Sequence, residues 1–494
     1  MVEVFFDSSV FNLNSGQWRS LLPFLWLSCG LAFATIAAGL RVGRVSLRLL
    51  SLVVLVPFIC GLLWDLRAPA QSIFGTSFEV NALTRLAGAS VSVLALLATL
   101  FTESTEKGDH PEWLLLVLTA VLGMTLLPGA RDWVSFFVAL ETLSIPAFVL
   151  AALDTHREKS LQAGLKYLLM GAFASALLLM GMTLLYGYSG SFDFARIREL
   201  SEGASPVGRG LALAGFSLVL ASLLFKASLV PFHMWAADVY QACPTGVAAF
   251  LGTATKVSVF AATAVALDRC GAFAFLSLRV SIEALAVATI IVGNLMAAAQ
   301  THIRRMFAYS GIANAGYAAL ALSIGAGGVS AMITSLSLYG LSLIAALGLV
   351  EYALRASGRP AHEDVPVRDV GILFGGLSPL AIILFGIAVF SIAGLPPLPG
   401  FLGKYLVLKA LWSHGSILGP VFLCVGTLIG LAYYLRIFVP VLAAEGASVS
   451  SLRKFAGGRS AFLAAALASL LSLALLFGFS RFTQWMSLAE TFAR

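Results

Sequence analysis

Long apolar runs with few charged residues fill this sequence, and they restrict its fold more than any other feature. Fourteen of them are long enough to cross the apolar core of a bilayer, for which a helix needs about 20 residues. They lie at about 20–40, 46–64, 81–101, 112–130, 133–153, 161–188, 207–230, 244–267, 272–299, 303–325, 328–352, 371–411, 416–440 and 460–480. Charged residues make up only 11% of the chain, whereas soluble proteins have about 25%. The sequence therefore predicts an all-α polytopic membrane protein of about 14 transmembrane helices.

The charge and the cysteine content argue against several other classes of protein. The net charge is +7, but the basic residues are scattered over short loops without interleaved aromatic residues, so no nucleic-acid surface is predicted. The five cysteines stand singly, with no CxxC pair and no histidine at ligand spacing, which indicates no metal, haem or iron–sulfur site. The amino terminus, MVEVFFDSSVF, is acidic rather than basic, which argues against a cleaved signal peptide.

Two of the apolar runs contain a break built from proline and aromatic residues. The sequence LVPFH occupies 229–233 and LPPLPGF occupies 395–401, with Lys226 before the first break and Lys404 after the second. Proline removes a backbone donor, and irregular backbone at membrane depth must be buried in protein or line a cavity. The breaks are about five helices apart, and an odd number of spans inverts the second copy of a repeat. This spacing predicts two inverted five-helix repeats with helices 7 and 12 broken, although two unrelated proline kinks remain an alternative.

The repeats divide the chain into four parts. Residues 1–111 would form helices 1–3, 112–268 the first repeat with helices 4–8, 269–440 the second, inverted repeat with helices 9–13, and 441–494 helix 14. Lysine and arginine are more numerous in the odd-numbered loops. The positive-inside rule therefore places those loops in the cytoplasm and both termini on the periplasmic side.

Lysines inside the apolar runs are the main functional signal. Lys226 lies near the end of one run, and Lys256 lies twelve residues beyond Pro244, about 18 Å along a helix and roughly halfway through a bilayer. A cation there costs about 2.5 to 3.5 kcal/mol. Desolvation favours the neutral form of lysine, so a buried lysine can exchange a proton near neutral pH, whereas arginine cannot. A single lysine of this kind could also only pair with a carboxylate and join two helices.

Glu141 is the acidic residue in this set. It stands eight residues into its span, about 12 Å deep, where a lone carboxylate would be protonated. Lys166 is early in the next helix, and the short connection makes the two helices antiparallel neighbours. We therefore expect Glu141 and Lys166 to form a pair, which either fixes helix packing or lets Glu141 adjust the proton affinity of Lys166.

Taken in chain order, one acid and four lysines predict a lateral proton relay through the membrane: Glu141, Lys166, Lys226, Lys256 and Lys404. His233, just past the first break, either joins the relay or caps an unwound helix end. Nearby hydroxyl and amide side chains could hold water between the relay groups: Ser222, Thr253, Thr255, Ser258, Tyr309, Asn314 and Tyr317. Five other charged residues near span ends are predicted to be interfacial: Arg85, Asp238, Arg279, Glu283 and Glu351.

Several segments between about residues 112 and 440 resemble those of a known family: LETLSIPAFVLAAL, AGLKYLLMGAFASALLLMGMTLLYGYSGS, FKASLVPFHMWAADVYQACPT, NLMAAAQTHIRRMFAYSGIANAGY and FSIAGLPPLPGFLGKYLVLKA. They look like the proton-translocating membrane-arm subunits of respiratory complex I and the related multisubunit cation/proton antiporters. The resemblance implies a translocase subunit without a redox centre, in which quinone reduction elsewhere in the complex drives protons through half-channels. NADH, FMN, iron–sulfur clusters and quinone would belong to partner subunits, and this chain would bind no cofactor. It would lie in the bacterial inner membrane, among other membrane-arm subunits, lipid, protons and water.

The resemblance also implies roles for the relay residues. Glu141 matches the family's fifth-helix glutamate, Lys166 its sixth-helix partner, Lys226 the lysine of broken helix 7, Lys256 the central relay lysine, and Lys404 the lysine of the second half-channel. His233 matches the histidine after the broken seventh helix.

Three positions depart from the family pattern. Gln162 stands where a glutamate is frequent, Arg304 where a lysine is usual, and Asn314 where a histidine is usual. Asparagine can bind water but cannot take up a proton at pH 7, so a relay through the tenth helix must use water or another side chain.

Three functional hypotheses follow. The first is the proton-pumping subunit of an NADH:quinone oxidoreductase or of a relative with another electron donor, and the second is a subunit of a sodium/proton antiporter. The third is a scaffold that has lost conduction, as Gln162 and Asn314 would allow. Against the scaffold, unused charges inside the membrane are costly to keep.

Overall fold

The protein is described here by a computed structural model, which covers residues 14–40, 44–64, 66–101, 112–201, 206–361, 363–443 and 459–478. The α-helices of these ranges are α1 (Ser15–Gly39), α2 (Arg44–Trp64), α3 (Ala82–Leu100), α4 (Glu112–Leu126), α5 (Trp133–Ala151), α6 (Glu158–Ser189), α7 (Phe194–Ser201), α8 (Pro206–Ala227), α9 (Met234–Ala242), α10 (Thr245–Arg269), α11 (Leu276–Ala299), α12 (Ile303–Leu322), α13 (Val329–Ala356), α14 (Val370–Phe374), α15 (Pro379–Ala393), α16 (Pro399–Ser413), α17 (Leu418–Ala443) and α18 (Arg459–Phe477). An antiparallel hairpin of β1 (Gln71–Ile73) and β2 (Phe78–Val80), with Ser72 opposite Glu79, precedes α3.

The predicted membrane spans are confirmed. In the described part of the chain, 12 helices are long and apolar enough to cross a membrane: α1, α2, α3, α4 with the 3-10 turn after it, α5, α6, α8, α10, α11, α13, α17 and α18. α12 has 20 residues, which is about 30 Å of helix. α15 and α16 have 15 residues each, so neither crosses a bilayer alone. α12 and the α15–α16 pair lie at the other two predicted spans, 303–325 and 371–411.

The break in the seventh span is also confirmed. α8 ends at Ala227 and α9 begins at Met234. Ser228 takes up a left-handed backbone conformation with φ of 60°, and the amide of Leu229 donates to the carbonyl of Leu224 at 2.8 Å. This arrangement is a Schellman motif, which satisfies carbonyls that a helix end leaves without a partner.

The break in the twelfth span has the same construction. α15 ends at Ala393, Gly394 has φ of 85°, and α16 begins at Pro399. The amide of Leu395 donates to the carbonyl of Phe390 at 3.1 Å, which again completes a Schellman motif. The predicted half-helices with an unwound segment between them are therefore present.

Two helices form the centre of the molecule. α10 is buried along its whole apolar window and α13 along 94% of it, while α1, α2, α6, α11, α17 and α18 are each less than 40% buried. α10 packs against α3, α8, α12 and α13, and α13 packs against α15, α16 and α18. A charge in the middle of α10 therefore faces protein rather than lipid.

Two predictions about organisation stay predictions. The two breaks share their local construction, but the inverted repeat and the four-part division are not tested by these contacts. The chain termini and the segments 102–111 and 444–458 lie outside the described residues, so the orientation in the membrane stays a prediction as well.

Candidate functional site

Lys256 lies near the middle of α10, and its side chain is 1% exposed. Its Nζ donates a hydrogen bond of 2.6 Å to the carbonyl of Gly311 in α12. A Cβ added at Gly311 would lie 3.3 Å from this Nζ and 2.8 Å from the hydroxyl of Tyr339 in α13. That hydroxyl is buried and has no hydrogen-bond partner among the described residues. The glycine therefore leaves room for an ammonium group and a hydroxyl at the centre of the protein.

Lys226 lies at the end of α8, immediately before the first break, and is 4% exposed. Its Nζ has no hydrogen-bond partner in the described part of the chain. It lies 4.5 Å from the centre of the Phe148 ring, 5.6 Å from that of Tyr167 and 5.8 Å from that of Phe225. These distances are within the range of cation–π attraction, so aromatic faces surround this amine.

The predicted pair of Glu141 and Lys166 is wrong. Glu141 accepts a hydrogen bond of 2.6 Å from the hydroxyl of Ser175 in α6, and its carboxylate is close enough to interact electrostatically with Lys226. Lys166 precedes Ser175 by nine residues, about 13 Å along the helix. α5 and α6 are neighbours as expected, but this axial offset places Glu141 opposite Ser175 rather than Lys166.

Lys166 is bound instead to Asp238 of α9, which also accepts a hydrogen bond of 2.8 Å from Arg305. The side chains of Lys166 and Asp238 are 44% and 34% exposed. This pair is therefore partly exposed, whereas Lys166 was predicted to be a lysine within the membrane; the interfacial position of Asp238 stays a prediction. Gln162, one turn before Lys166, is exposed and donates to Glu158 at 2.8 Å.

A cavity of about 700 Å³ opens beside this pair. Its lining is mostly charged and polar: Arg157, Lys159, Gln162, Lys166, Asp238, Gln241, His302, Glu363 and Asp364 contribute to it. A polar cavity of this size is large enough to hold water.

Lys404 lies in α16, just after the second break, and is 7% exposed. Its Nζ donates a hydrogen bond of 2.8 Å to the carbonyl of Ala393, at the end of α15. The same Nζ lies 4.8 Å from the centre of the Tyr317 ring. A Cβ added at Gly394 would come within 2.8 Å of the Lys404 side chain. The break therefore needs a glycine for two reasons: the backbone is left-handed at this position, and a side chain would collide with Lys404.

His233 directly precedes α9, and its side chain is buried. It forms no side-chain capping bond, and its Nδ1 has no partner among the described residues. It lies in the break between α8 and α9, and its part in the relay stays a prediction.

Two of the departures from the family pattern are buried in α12. Arg304 donates to the carbonyl of Cys243 at 3.3 Å, to the hydroxyl of Thr245 at 2.7 Å and to the carbonyl of Ala361. It thus fixes the start of α10 to a later loop. Asn314 donates to the carbonyl of Ser310, one turn earlier in its own helix, at 2.9 Å.

Several side chains around the relay residues were not predicted from the sequence: Phe148, Ser175, Asn294, Ser310, Tyr339, Tyr433 and Tyr434. These residues could have been recognised in the sequence as polar residues, or as a pair of tyrosines, inside an apolar run, as in LAYYLRIF. Among the described residues, no group of three or more His, Cys, Asp or Glu side chains is placed to hold a metal ion.

Comparison with known proteins gives concordant matches. Residues 130–430 match the family model described as "NADH:quinone oxidoreductase/Mrp antiporter, TM". NADH-quinone oxidoreductase subunit N of Geobacter metallireducens is 33% identical over 429 residues, which cover 85% of this chain and 88% of that protein. A chain of respiratory complex I from Thermus thermophilus is 32% identical, with a TM-score of 0.74 over 93% of this chain and 97% of that one. A chain of the Mrp complex from Dietzia sp. is 20% identical, with a TM-score of 0.77 over 96% and 97% of the two chains, and this likeness shows the fold alone.

Proposed function

Because this chain belongs to the NADH:quinone oxidoreductase/Mrp antiporter family, we propose that it is an antiporter-like, proton-translocating subunit of the membrane arm of an NADH:quinone oxidoreductase. It carries protons between buried side chains and has no redox centre of its own. Electron transfer from NADH through FMN and iron–sulfur clusters to quinone takes place on partner subunits, and its free energy drives the movement of protons here.

The observation that carries this proposal is the state of three buried lysines. Lys226, Lys256 and Lys404 are each at most 7% exposed, and none forms an ion pair within the described ranges. A structural lysine at this depth would be paired with a carboxylate. An unpaired buried amine is instead held by carbonyls and aromatic rings, and it can change its charge without breaking an ion pair.

In the first half, a proton would reach Lys226 from the side of Glu141. The attraction between the Glu141 carboxylate and the Lys226 ammonium depends on whether Glu141 is ionised. Protonation of Glu141 removes this attraction and favours the release of a proton from Lys226. The polar cavity beside Lys166 offers a place where water from outside can meet this half of the protein.

Beyond Lys226, the central Lys256 and the Lys404 of the second half would exchange the proton further along the membrane plane. Lys256 contacts α12 through the Gly311 carbonyl, and Lys404 contacts α12 through the Tyr317 ring. Both amines therefore meet the same helix. Lysine suits this task because its neutral amine can take up and release a proton, whereas arginine keeps its charge.

The test uses the assembled complex, reconstituted in lipid vesicles, with proton uptake and quinone reduction measured together. Replacing Lys256 by alanine should reduce proton translocation by about 100-fold, a typical loss for a proton-transfer group. Lys409→Ala is the matched control, because this lysine lies on the exposed side of α16. Unchanged proton translocation in Lys256→Ala, at equal assembly, would contradict the proposal.

The sodium/proton antiporter hypothesis has weaker support, since the likeness to the Mrp complex shows the fold alone. The same vesicles can test it. If electron transfer moves sodium in place of protons, or if the chain occurs only in a complex without quinone-reducing subunits, the antiporter hypothesis replaces the one proposed.

A further inference from the structure

A buried polar cluster lies between α11, α12 and α17. Asn294 of α11 is 1% exposed, and its side-chain amide donates to the hydroxyl of Tyr317 at 3.2 Å. The hydroxyl of Tyr433 donates to the side-chain oxygen of Asn294, also at 3.2 Å. Buried polar groups are costly unless they are hydrogen-bonded, and the amide satisfies two tyrosines that belong to different helices.

The cluster continues towards Lys256. The rings of Tyr433 and Tyr434 lie 4.5 Å apart, and the Tyr434 hydroxyl is hydrogen-bonded to that of Ser310. Ser310 precedes Gly311, whose carbonyl accepts the hydrogen bond from Lys256. One end of the cluster therefore lies beside the Lys256 site, and the other end, Tyr317, provides the ring that faces Lys404.

Two glycines of α17 make room for this cluster. A Cβ added at Gly426 would lie 2.7 Å from the Tyr317 hydroxyl and 3.0 Å from the Asn294 amide. One added at Gly430, one turn later, would lie 3.6 Å from the Asn294 oxygen. A larger residue at Gly426 would displace the cluster, so this face of α17 is shaped around it.

The directions of the hydrogen bonds follow from the chemistry of the amide. The oxygen of an asparagine side chain only accepts and its nitrogen only donates. The nitrogen also donates to the carbonyl of Ile290 at 2.8 Å, and a carbonyl can only accept, so the nitrogen lies on the side of Tyr317 and the oxygen on the side of Tyr433. This fixes the position of Tyr317 and hence the orientation of its ring towards Lys404.

We infer that Asn294 is a positioning residue for proton transfer at Lys404, because it anchors Tyr317, on whose ring the Lys404 ammonium lies. This inference rests on the proposed function. Asn314 is hydrogen-bonded within its own helix. The cluster, and not Asn314, therefore connects the residues around Lys256 with those around Lys404. No charged side chain of the described parts of α12, α13, α15, α17 and α18, which pack against α16, forms an ion pair with Lys404. The Ala393 carbonyl and the Tyr317 ring are therefore the groups that stabilise its ammonium form.

The test compares variants of the assembled complex in vesicles and follows proton translocation as a function of pH. Tyr317→Leu removes the aromatic face, so we expect translocation to fall about tenfold and its pH dependence to shift to lower pH by about one unit. Tyr317→Phe keeps the ring but loses the anchor, and a fall of about threefold is expected. Asn294→Leu should match Tyr317→Phe, and the double variant should be no worse than either single variant.

The matched control is Tyr405→Leu, an exposed tyrosine on α16, which should leave the pH dependence unchanged. If Tyr317→Leu and Asn294→Leu lower only the amount of assembled complex and leave the pH dependence where it was, the cluster is a structural tie and the inference is overturned. Lys404→Ala distinguishes a failure of the proposed function from a failure of this inference. If it pumps normally, the proposed function fails at this site, whereas if it stops pumping while the Tyr317 and Asn294 variants pump normally, only the inference fails.

Discussion

The two broken helices end in the same way but hold their lysines differently. In both, a Schellman motif closes the first half-helix, and the lysine amine lies near that carbonyl end, where the helix dipole favours a cation. Lys226 makes no hydrogen bond in the described part of the chain and is surrounded by rings, with Glu141 near enough to act on its charge. Lys404 is bonded to the carbonyl of Ala393 and faces a single ring, without an ion-paired acid among the described residues.

This difference indicates how each half sets the affinity of its lysine for a proton. A carboxylate gains and loses charge, so the first half can be adjusted by whatever protonates or displaces Glu141. A backbone carbonyl and an aromatic ring keep their dipoles, so the second half has a fixed environment. Under the proposed function, the first half is therefore the more suitable place for a neighbouring subunit to act.

The largest effect should come from removing either lysine. Lys226→Ala and Lys404→Ala should each reduce proton translocation by about 100-fold, because each removes one proton-transfer group from a pathway in which the lysines act one after another. The measurement is proton uptake by vesicles at equal complex content, with Lys409→Ala as the exposed control. If one of the two variants pumped like the wild type, Lys226 and Lys404 would not belong to the same proton pathway.

Replacement of the acid should have an intermediate effect and should act on the first half. Glu141→Gln removes the charge that acts on Lys226 while it preserves the hydrogen bond from Ser175, and we expect translocation to fall about tenfold. Glu112→Gln is the matched control, since Glu112 and Glu141 line one cavity, and Glu112 is exposed at the start of α4. An equal loss in both variants would mean that surface charge, rather than the electrostatic effect of Glu141 on Lys226, is responsible.

The two breaks should also differ in their tolerance of substitution. Gly394→Ala places a Cβ at φ of 85° and against Lys404, so it should destabilise the protein by about 1–2 kcal/mol. Ser228→Gly relieves a left-handed serine at φ of 60° but adds flexibility to the unfolded chain, so the net change should be within about 0.5 kcal/mol. Thermal unfolding of the detergent-purified complex measures both, and a reversed order would contradict the account of the breaks.

The smallest effect is expected at Gln162. This residue is exposed and bonded to Glu158, so Gln162→Glu should change proton translocation by less than about twofold. The same vesicle assay checks this. A large gain in proton translocation would show that a glutamate at this position takes part in the relay directly, and that its absence here slows proton transfer in the first half.

Much of the fold could be predicted from the sequence because it depends on local rules. Hydropathy fixes the spans, since the length of an apolar run sets whether it crosses a bilayer. Proline marks both breaks, since it removes a backbone donor, and at the second break Gly394 also allows a left-handed residue. The short helix α9 and the β1–β2 hairpin were not predicted, because their residues carry no long apolar period.

The contacts of the site could be predicted only in part. The burial of Lys226, Lys256 and Lys404 followed from their places in apolar runs. The partner of Lys166 did not, because Asp238 is 72 residues away in sequence and the axial offset of α5 against α6 is set by packing. The cluster around Asn294 joins three helices, and no sequence period indicates which polar residues of separate helices will meet.

The central claim is that buried amines in this chain exchange protons and do not merely carry charge. Lys256→Arg tests it most directly, because arginine preserves a cation in the middle of α10 but holds its proton. Proton translocation should be measured in vesicles containing equal amounts of assembled complex. The account predicts that translocation is lost in this variant, whereas translocation at the wild-type rate would contradict it.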